Sequence, residues 1–177
     1  TITSTLRVDG LTLSHRPTIS YTTSDKVDGW WGPNSNSLPI NIQILIENDV
    51  PITVNTDAGT PQLTLETGTT DAVVDYSSGS GTATLVFEYT PAENEFTTDL
   101  GFMINANNEA VIDLNGGYMH EASGNLLWSE EVGTTTNPLL PYPGTTNSLD
   151  ARKDLTVDGI DPDDFTVSLY AYATNPA

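Results

Sequence analysis

The chain has no cysteine, five lysines and arginines in total, two histidines and no long apolar run. Each shortage excludes something. Without cysteine there is no disulfide framework, so an extracellular version needs its core, bound ions or neighbours for stability. With 24 Asp and Glu in 177 residues the formal net charge is −19. That charge repels phosphate backbones and anionic lipid, so no nucleic-acid partner is expected, and it attracts cations. No stretch approaches the roughly 18 apolar residues of a membrane span, so no membrane insertion is expected. Thr1 opens on no signal peptide, as in a mature secreted product or a trimmed chain. His15 and His120 stand in no metal-type spacing, and neither a Gly-x-Ser-x-Gly elbow nor a phosphate-cradling loop occurs. Gly79-Ser80-Gly81 is too short for an elbow and reads as a hairpin turn. Carboxylates are so numerous that no glycosidase pair stands out. No enzymatic activity is expected.

What is present is β-structure. Short runs rich in Val, Ile, Thr, Tyr and Phe alternate with clusters of Gly, Asn, Asp, Ser and Pro. The clearest strands are Ile40–Ile46, with isoleucine at every second position, and Thr82–Tyr89, with Leu85, Phe87 and Tyr89 on one face. Gln62–Glu66, Ala72–Tyr76, Ala110–Leu114, Leu155–Val157 and Phe165–Tyr172 follow. The stretch 133–146, rich in Gly and Pro, reads as a long loop. Strict alternation implies sheets with one buried face, and seven or more such strands suggest an all-β, antiparallel two-sheet sandwich. Residues 16–159 form the expected sandwich domain, flanked by terminal strand segments 1–15 and 160–177.

Leu6-Arg7-Val8-Asp9-Gly10-Leu11 is echoed by Leu155-Thr156-Val157-Asp158-Gly159-Ile160. An apolar strand ending in an Asp-Gly turn is common enough to recur by chance. The alternative is a repeat boundary, with pieces of neighbouring units at the two ends.

The run Gly59-Thr60-Pro61-Gln62-Leu63-Thr64-Leu65-Glu66-Thr67-Gly68, followed by Tyr76-Ser77-Ser78-Gly79-Ser80-Gly81-Thr82 and Leu85-Val86-Phe87-Glu88-Tyr89, resembles the bacterial Ig-like tandem repeats of large secreted adhesins. The likeness continues through Asp99-Leu100, Leu114-Asn115-Gly116-Gly117, Glu121–Asn125, Ser148–Lys153 and Val157-Asp158-Gly159, in the family's order. It implies an Ig-like sandwich with extra terminal strands, a scaffold and not a chemistry. The insertion Gly29-Trp30-Trp31-Gly32-Pro33-Asn34 is particular to this chain.

Calcium is the expected ion, since it takes six to eight oxygens from carboxylates, carbonyls and Asn side chains on loops. Asp158, Asp161, Asp163 and Asp164 fall within seven residues at a turn; Asp25 with Asp28, Glu130 with Glu131, and Asp9 are further candidates. A solvated acidic linker, or adaptation to high salt, would give the same composition. Trp30, Trp31 and Trp128 would suit sugar rings, although neighbours on one strand face opposite ways; one core tryptophan and one at a subunit contact is the competing reading.

The ends decide the functional expectation. Ile2, Leu6, Val8, Leu11 and Leu13 at one end, and Phe165, Val167 and Leu169 at the other, are strand-like residues outside the repeat. A lone strand is an aggregation hazard unless it is used. Donation of such a strand to a neighbouring copy would build an open head-to-tail polymer. The expected protein is thus a secreted extracellular structural subunit assembling with copies of itself into a filament or tubule, calcium-assisted, with Trp30 and Trp31 at the contact. The alternatives are a calcium-rigidified stalk or adhesion repeat of a large surface adhesin, and a carbohydrate-binding module contacting glycans or a cell surface.

Overall fold

The computed structural model describes residues 17–35, 38–124, 126–127 and 137–159. They form eleven strands: β1 (Ile19–Ser24), β2 (Gly29–Trp31), β3 (Ile40–Ile46), β4 (Ile52–Asn55), β5 (Gln62–Glu66), β6 (Ala72–Ser78), β7 (Thr84–Tyr89), β8 (Phe96–Thr97), β9 (Gly101–Phe102), β10 (Tyr118–Glu121) and β11 (Leu155–Asp158), with a 3-10 turn at Glu47–Asp49 and one α-helical turn, α1 (Leu149–Arg152). The architecture is all-β and sandwich-like. A six-stranded sheet in the order β1-β3-β7-β6-β5-β9 carries most of the chain, and smaller sheets β10-β4 and β2-β11-β8 complete it. Among the described residues no helix is long and apolar enough to cross a membrane.

Alternation does the work in the large sheet. Ile40, Ile42, Ile44 and Ile46 of β3 are all buried, and Leu85, Phe87 and Tyr89 of β7 lie on the same inner face. The register runs antiparallel from Ile40 opposite Tyr89 to Leu45 opposite Thr84. Leu63 and Leu65 of β5 and Ala72 and Val74 of β6 extend that face. Ile52 of β4, Met119 of β10, and Leu155 and Val157 of β11 join the same core cluster from the small sheets.

Two elements differ from the sequence expectation. Ala110–Leu114 is not a strand, although Ala110 and Ile112 are buried as the alternation requires. Its contacts are isolated bridges from Val111 to Leu139 and from Asp113 to Gln62. The Ile112 N–H donates to Pro138 and the Leu140 N–H to Ala110, but Pro138 has no N–H to return, so the ladder stops. The sandwich is also not wholly antiparallel: β11 pairs parallel with β2 and antiparallel with β8. A parallel pair needs a long connection, and well over a hundred residues separate β2 from β11. The described part of the 133–146 stretch contains no named strand, as expected of a loop.

β1 carried no apolar signal because its inward positions are Thr22 and Ser24, both buried. Burial is tolerated because the Thr22 N–H donates to the Asn147 carbonyl at 2.9 Å and its hydroxyl to the same oxygen at 3.3 Å.

Candidate functional site

The candidate site is the pair of points at which the described residues begin and end. At one end the Thr18 carbonyl accepts from the Glu47 N–H, beside Ile46, whose own N–H donates to Ala83. At the other end the Gly159 N–H donates to the Glu95 carbonyl at 2.7 Å and the Asn94 N–H donates to Gly159 at 3.1 Å. Glu95 is fixed there because its Oε2 accepts from the Tyr89 hydroxyl at 2.7 Å and from the Ala92 N–H at 2.8 Å. Burial and the Glu95 carboxylate both push the Tyr89 hydroxyl far above its ordinary range, so it stays a proton donor. Thr84 and Tyr89 mark the two ends of β7, a strand about 17 Å long. Thr18 and Gly159 are therefore held near opposite ends of β7, and the sheet beside Gly159 is called the leaving pole.

The sheet β2-β11-β8 forms the leaving pole. Its register sets Thr156 beside Trp30, Val157 beside Trp31 and Thr97, and Asp158 beside Phe96. One face, with Leu155 and Val157, is buried. The other presents Trp30, 71% exposed, and Phe96, 51% exposed. The two tryptophans do face opposite ways. Trp31 packs against the core, with its indole N–H buried and without a partner among the described residues. β2 lies at the edge of its sheet. The Gly29 N–H donates inward to Asp154, and alternation along a parallel ladder turns the backbone groups of Trp30 outward. Phe96 was not anticipated: it sits in a polar, two-residue strand with no periodic neighbours.

The acidic candidates separate. Asp25 Oδ1 accepts from the Asn41 N–H at 2.9 Å, while its Oδ2 accepts from the Asn41 amide at 2.9 Å and from Lys26 at 2.7 Å. Burial raises its pKa, but Lys26 and the Asn41 bonds outweigh it and hold the carboxyl below its ordinary value. Asp28 Oδ1 accepts from the Asp154 N–H at 3.2 Å and so ties β2 to the start of β11. Asp158 lies at the end of β11. Among the described residues no group of three or more His, Asp or Glu is placed to hold a metal ion. A different acidic group appears instead: burial, then Asp150 and Asp154, push the Asp99 carboxyl above its ordinary value. Its members are distant in sequence, so no local pattern announced it.

Three of the five basic residues are engaged inside the fold. Lys26 pairs with Asp25, the Lys153 ammonium donates to the Lys26 carbonyl at 2.6 Å, and Arg152 lies 4.0 Å from the centre of the Tyr21 ring. Ile2, Leu6, Val8, Asp9, Leu11, Leu13, Trp128, Glu130, Glu131, Asp161, Asp163, Asp164, Phe165, Val167 and Leu169 lie outside the described residues.

No family model matches the chain, and comparison with curated proteins and with solved structures likewise gave no match.

Proposed function

We propose that this chain is an extracellular structural subunit that joins copies of itself head to tail into a filament or tubule by β-strand complementation. The observation that carries the reading is the placement of Thr18 and Gly159 at opposite poles. Attachment points at opposite ends suit a heterologous, non-closing contact, in which one end of a copy meets the other end of the next. The sheet at Gly159 offers an acceptor for a strand: β2 is an edge strand among the described residues and carries exposed Trp30, while exposed Phe96 lies on the same face at the sheet's other edge, β8. Thr1–Leu13 of the next copy is the proposed donor, its backbone extending the ladder; in an extended strand Ile2, Leu6 and Val8 share one face and Leu11 and Leu13 the other, so one of these sets packs beside Trp30. With three basic residues consumed internally, contact between copies of net charge −19 brings like charges together. Ca²⁺ at the Asp158–Asp164 turn would neutralise that repulsion at the joint.

The same polar arrangement suits a covalently continuous stalk, so the second reading is a repeat of a large surface adhesin. Electron microscopy and sedimentation of the purified chain, in millimolar calcium and then with chelator, separate the two. A polymer subunit grows with concentration and gives filaments or tubes in calcium, whereas a stalk repeat stays monomeric throughout. Polymers that form unchanged after deletion of Thr1–Leu13 would sink the donor-strand assignment, and polymers insensitive to chelator would remove calcium from the joint.

A further inference from the structure

Away from the two poles, the turn after Asp113 and strand β10 enclose a cleft of about 490 Å³ that the assembly reading leaves without a role. Its size falls within the ordinary range for small-molecule sites. Leu127, Met119 and Pro138 form buried parts of its wall, and Tyr118 and Leu126, each about half exposed, stand at its rim. The Tyr118 ring stacks on His120 with centroids 5.3 Å apart, so its orientation is supported.

Asp113, Asn115 and Asn137 line the cleft, and each makes a single side-chain hydrogen bond that leaves its other polar atom without a partner among the described residues. Asp113 Oδ1 accepts from the Asn115 N–H at 2.9 Å. The Asn115 amide donates to the Thr60 carbonyl at 3.2 Å. Asn137 Oδ1 accepts from the Leu114 N–H at 3.2 Å. Asp113 Oδ2, Asn115 Oδ1 and the Asn137 amide N–H groups make no hydrogen bond to the described residues. The backbone beneath them is equally fixed: a Cβ on Gly117 would lie 2.5 Å from the Gly59 carbonyl and 2.7 Å from that of Asn55. The groups are therefore positioned before any ligand arrives, which lowers the ordering cost of binding.

Two free acceptors and one free amide donor match hydroxyl groups, which both donate and accept. Among the described residues no lysine or arginine lines the cleft, and the chain as a whole is strongly negative, so an anionic ligand is disfavoured. One carboxylate among two carboxamides also falls short of the oxygen cage of a bare cation, consistent with the absence of a metal group among the described residues. An aromatic ring beside aliphatic side chains offers an apolar face to C–H bonds. We propose that this cleft binds a neutral sugar ring, with Asp113 and Asn115 accepting from its hydroxyls, Asn137 donating to one of them, and Tyr118 and Leu126 packing against its C–H face. The site is independent of the polymer: it lies on the β10-β4 sheet, whereas the proposed strand acceptor lies on β2-β11-β8.

The test uses the full chain with glucose, galactose, mannose and N-acetylglucosamine, read by saturation-transfer NMR and titration calorimetry. At least one sugar is expected to bind in the millimolar range or tighter. Asp113→Asn keeps the Oδ1 acceptor for the Asn115 N–H, so its fold is retained, and it should weaken binding about tenfold or more. Tyr118→Ala should weaken it similarly, while Val73→Thr on the outer face of β6 should leave it unchanged. Absence of binding by all four sugars, or wild-type affinity in both cleft variants, overturns the proposal. An unchanged NMR spectrum for Asp113→Asn ensures that a loss is read at the site and not through unfolding.

Discussion

The six-stranded sheet and the small sheet at the leaving pole are built on opposite principles. In the large sheet, β3 pairs with β7, β7 with β6 and β6 with β5, several of them near neighbours in sequence, and the inward isoleucines and leucines lie along unbroken alternating runs. The small sheet assembles β2, β8 and β11 from segments far apart in the chain, each four residues or fewer, and buries apolar side chains on one face while exposing two aromatics on the other. The first is a core that any one-faced sheet would need. The second is a seam held by long-range pairings, and it carries exposed apolar surface that the core does not.

The comparison can be broken hardest from the core side. Phe87 is fully buried between β3 and β6, and its ring meets Tyr76 edge-on with centroids 5.7 Å apart. Phe87→Ala should cost about 3–5 kcal/mol, read as a fall in the denaturant midpoint by every probe together. A loss below 1 kcal/mol would mean that the large sheet is not the main source of stability.

The seam should fail more locally. A Cβ on Gly159 would lie 2.4 Å from the Ala92 carbonyl and 2.6 Å from that of Glu95, so Gly159→Ala forces the backbone apart at the leaving pole. It should cost about 2–3 kcal/mol. Hydrogen exchange should quicken at residues 94–97 and 155–158 while protection at 42–46 and 85–89 persists; uniform loss of protection would show that the two regions unfold as one.

Tyr89 joins the regions, with its ring in the core and its hydroxyl on Glu95. Tyr89→Phe keeps the ring and removes one bond to a carboxylate, so about 1–2 kcal/mol should be lost, mainly at the seam. Equal exchange rates in wild type and variant would remove Glu95 as the anchor of the leaving pole.

Smallest and opposite in sign are two aspartates. Asp99, raised by burial and by Asp150 and Asp154, binds its proton more tightly folded than unfolded. Stability therefore falls as pH rises from the ordinary value near 3.8 through the folded value, and Asp99→Asn should restore a few tenths of a kcal/mol at neutral pH and nothing in strong acid. Asp25 has its pKa lowered, so its contribution is present above 3.8 and is lost as pH falls through the lower folded value; Asp25→Asn should weaken the protein at neutral pH only. Parallel pH profiles for the two variants would contradict the assignment.

Legibility followed the same division. β3 and β5 appear over the residues that the alternation marked, and β7 lacks only Thr82 and Ala83, of which Thr82 bridges to Ile52 and Ala83 accepts from the Ile46 N–H. β1 escaped notice because Thr22 and Ser24 satisfy their buried polar groups through partners that the sequence does not name. Ala110–Leu114 had a strand's alternation and a loop's partner. Trp30 and Trp31 were rightly set on opposite faces, but Phe96, Glu95 and the cleft around Asp113 gave no local signal, because the groups that give them meaning arrive from other parts of the chain.

By itself the sequence determined the class: period-two alternation between turn residues makes one-faced sheets, and one-faced sheets must pack on each other. It also set the net charge and the residue types available, since these need no fold to be counted. Only the tertiary structure decided which strand lies beside which, where the chain joins and leaves the sandwich, and which carboxylates meet. Those depend on pairings across a hundred residues or more, and a long-range contact is selected by the energy of the whole packed core, which no short window of sequence contains.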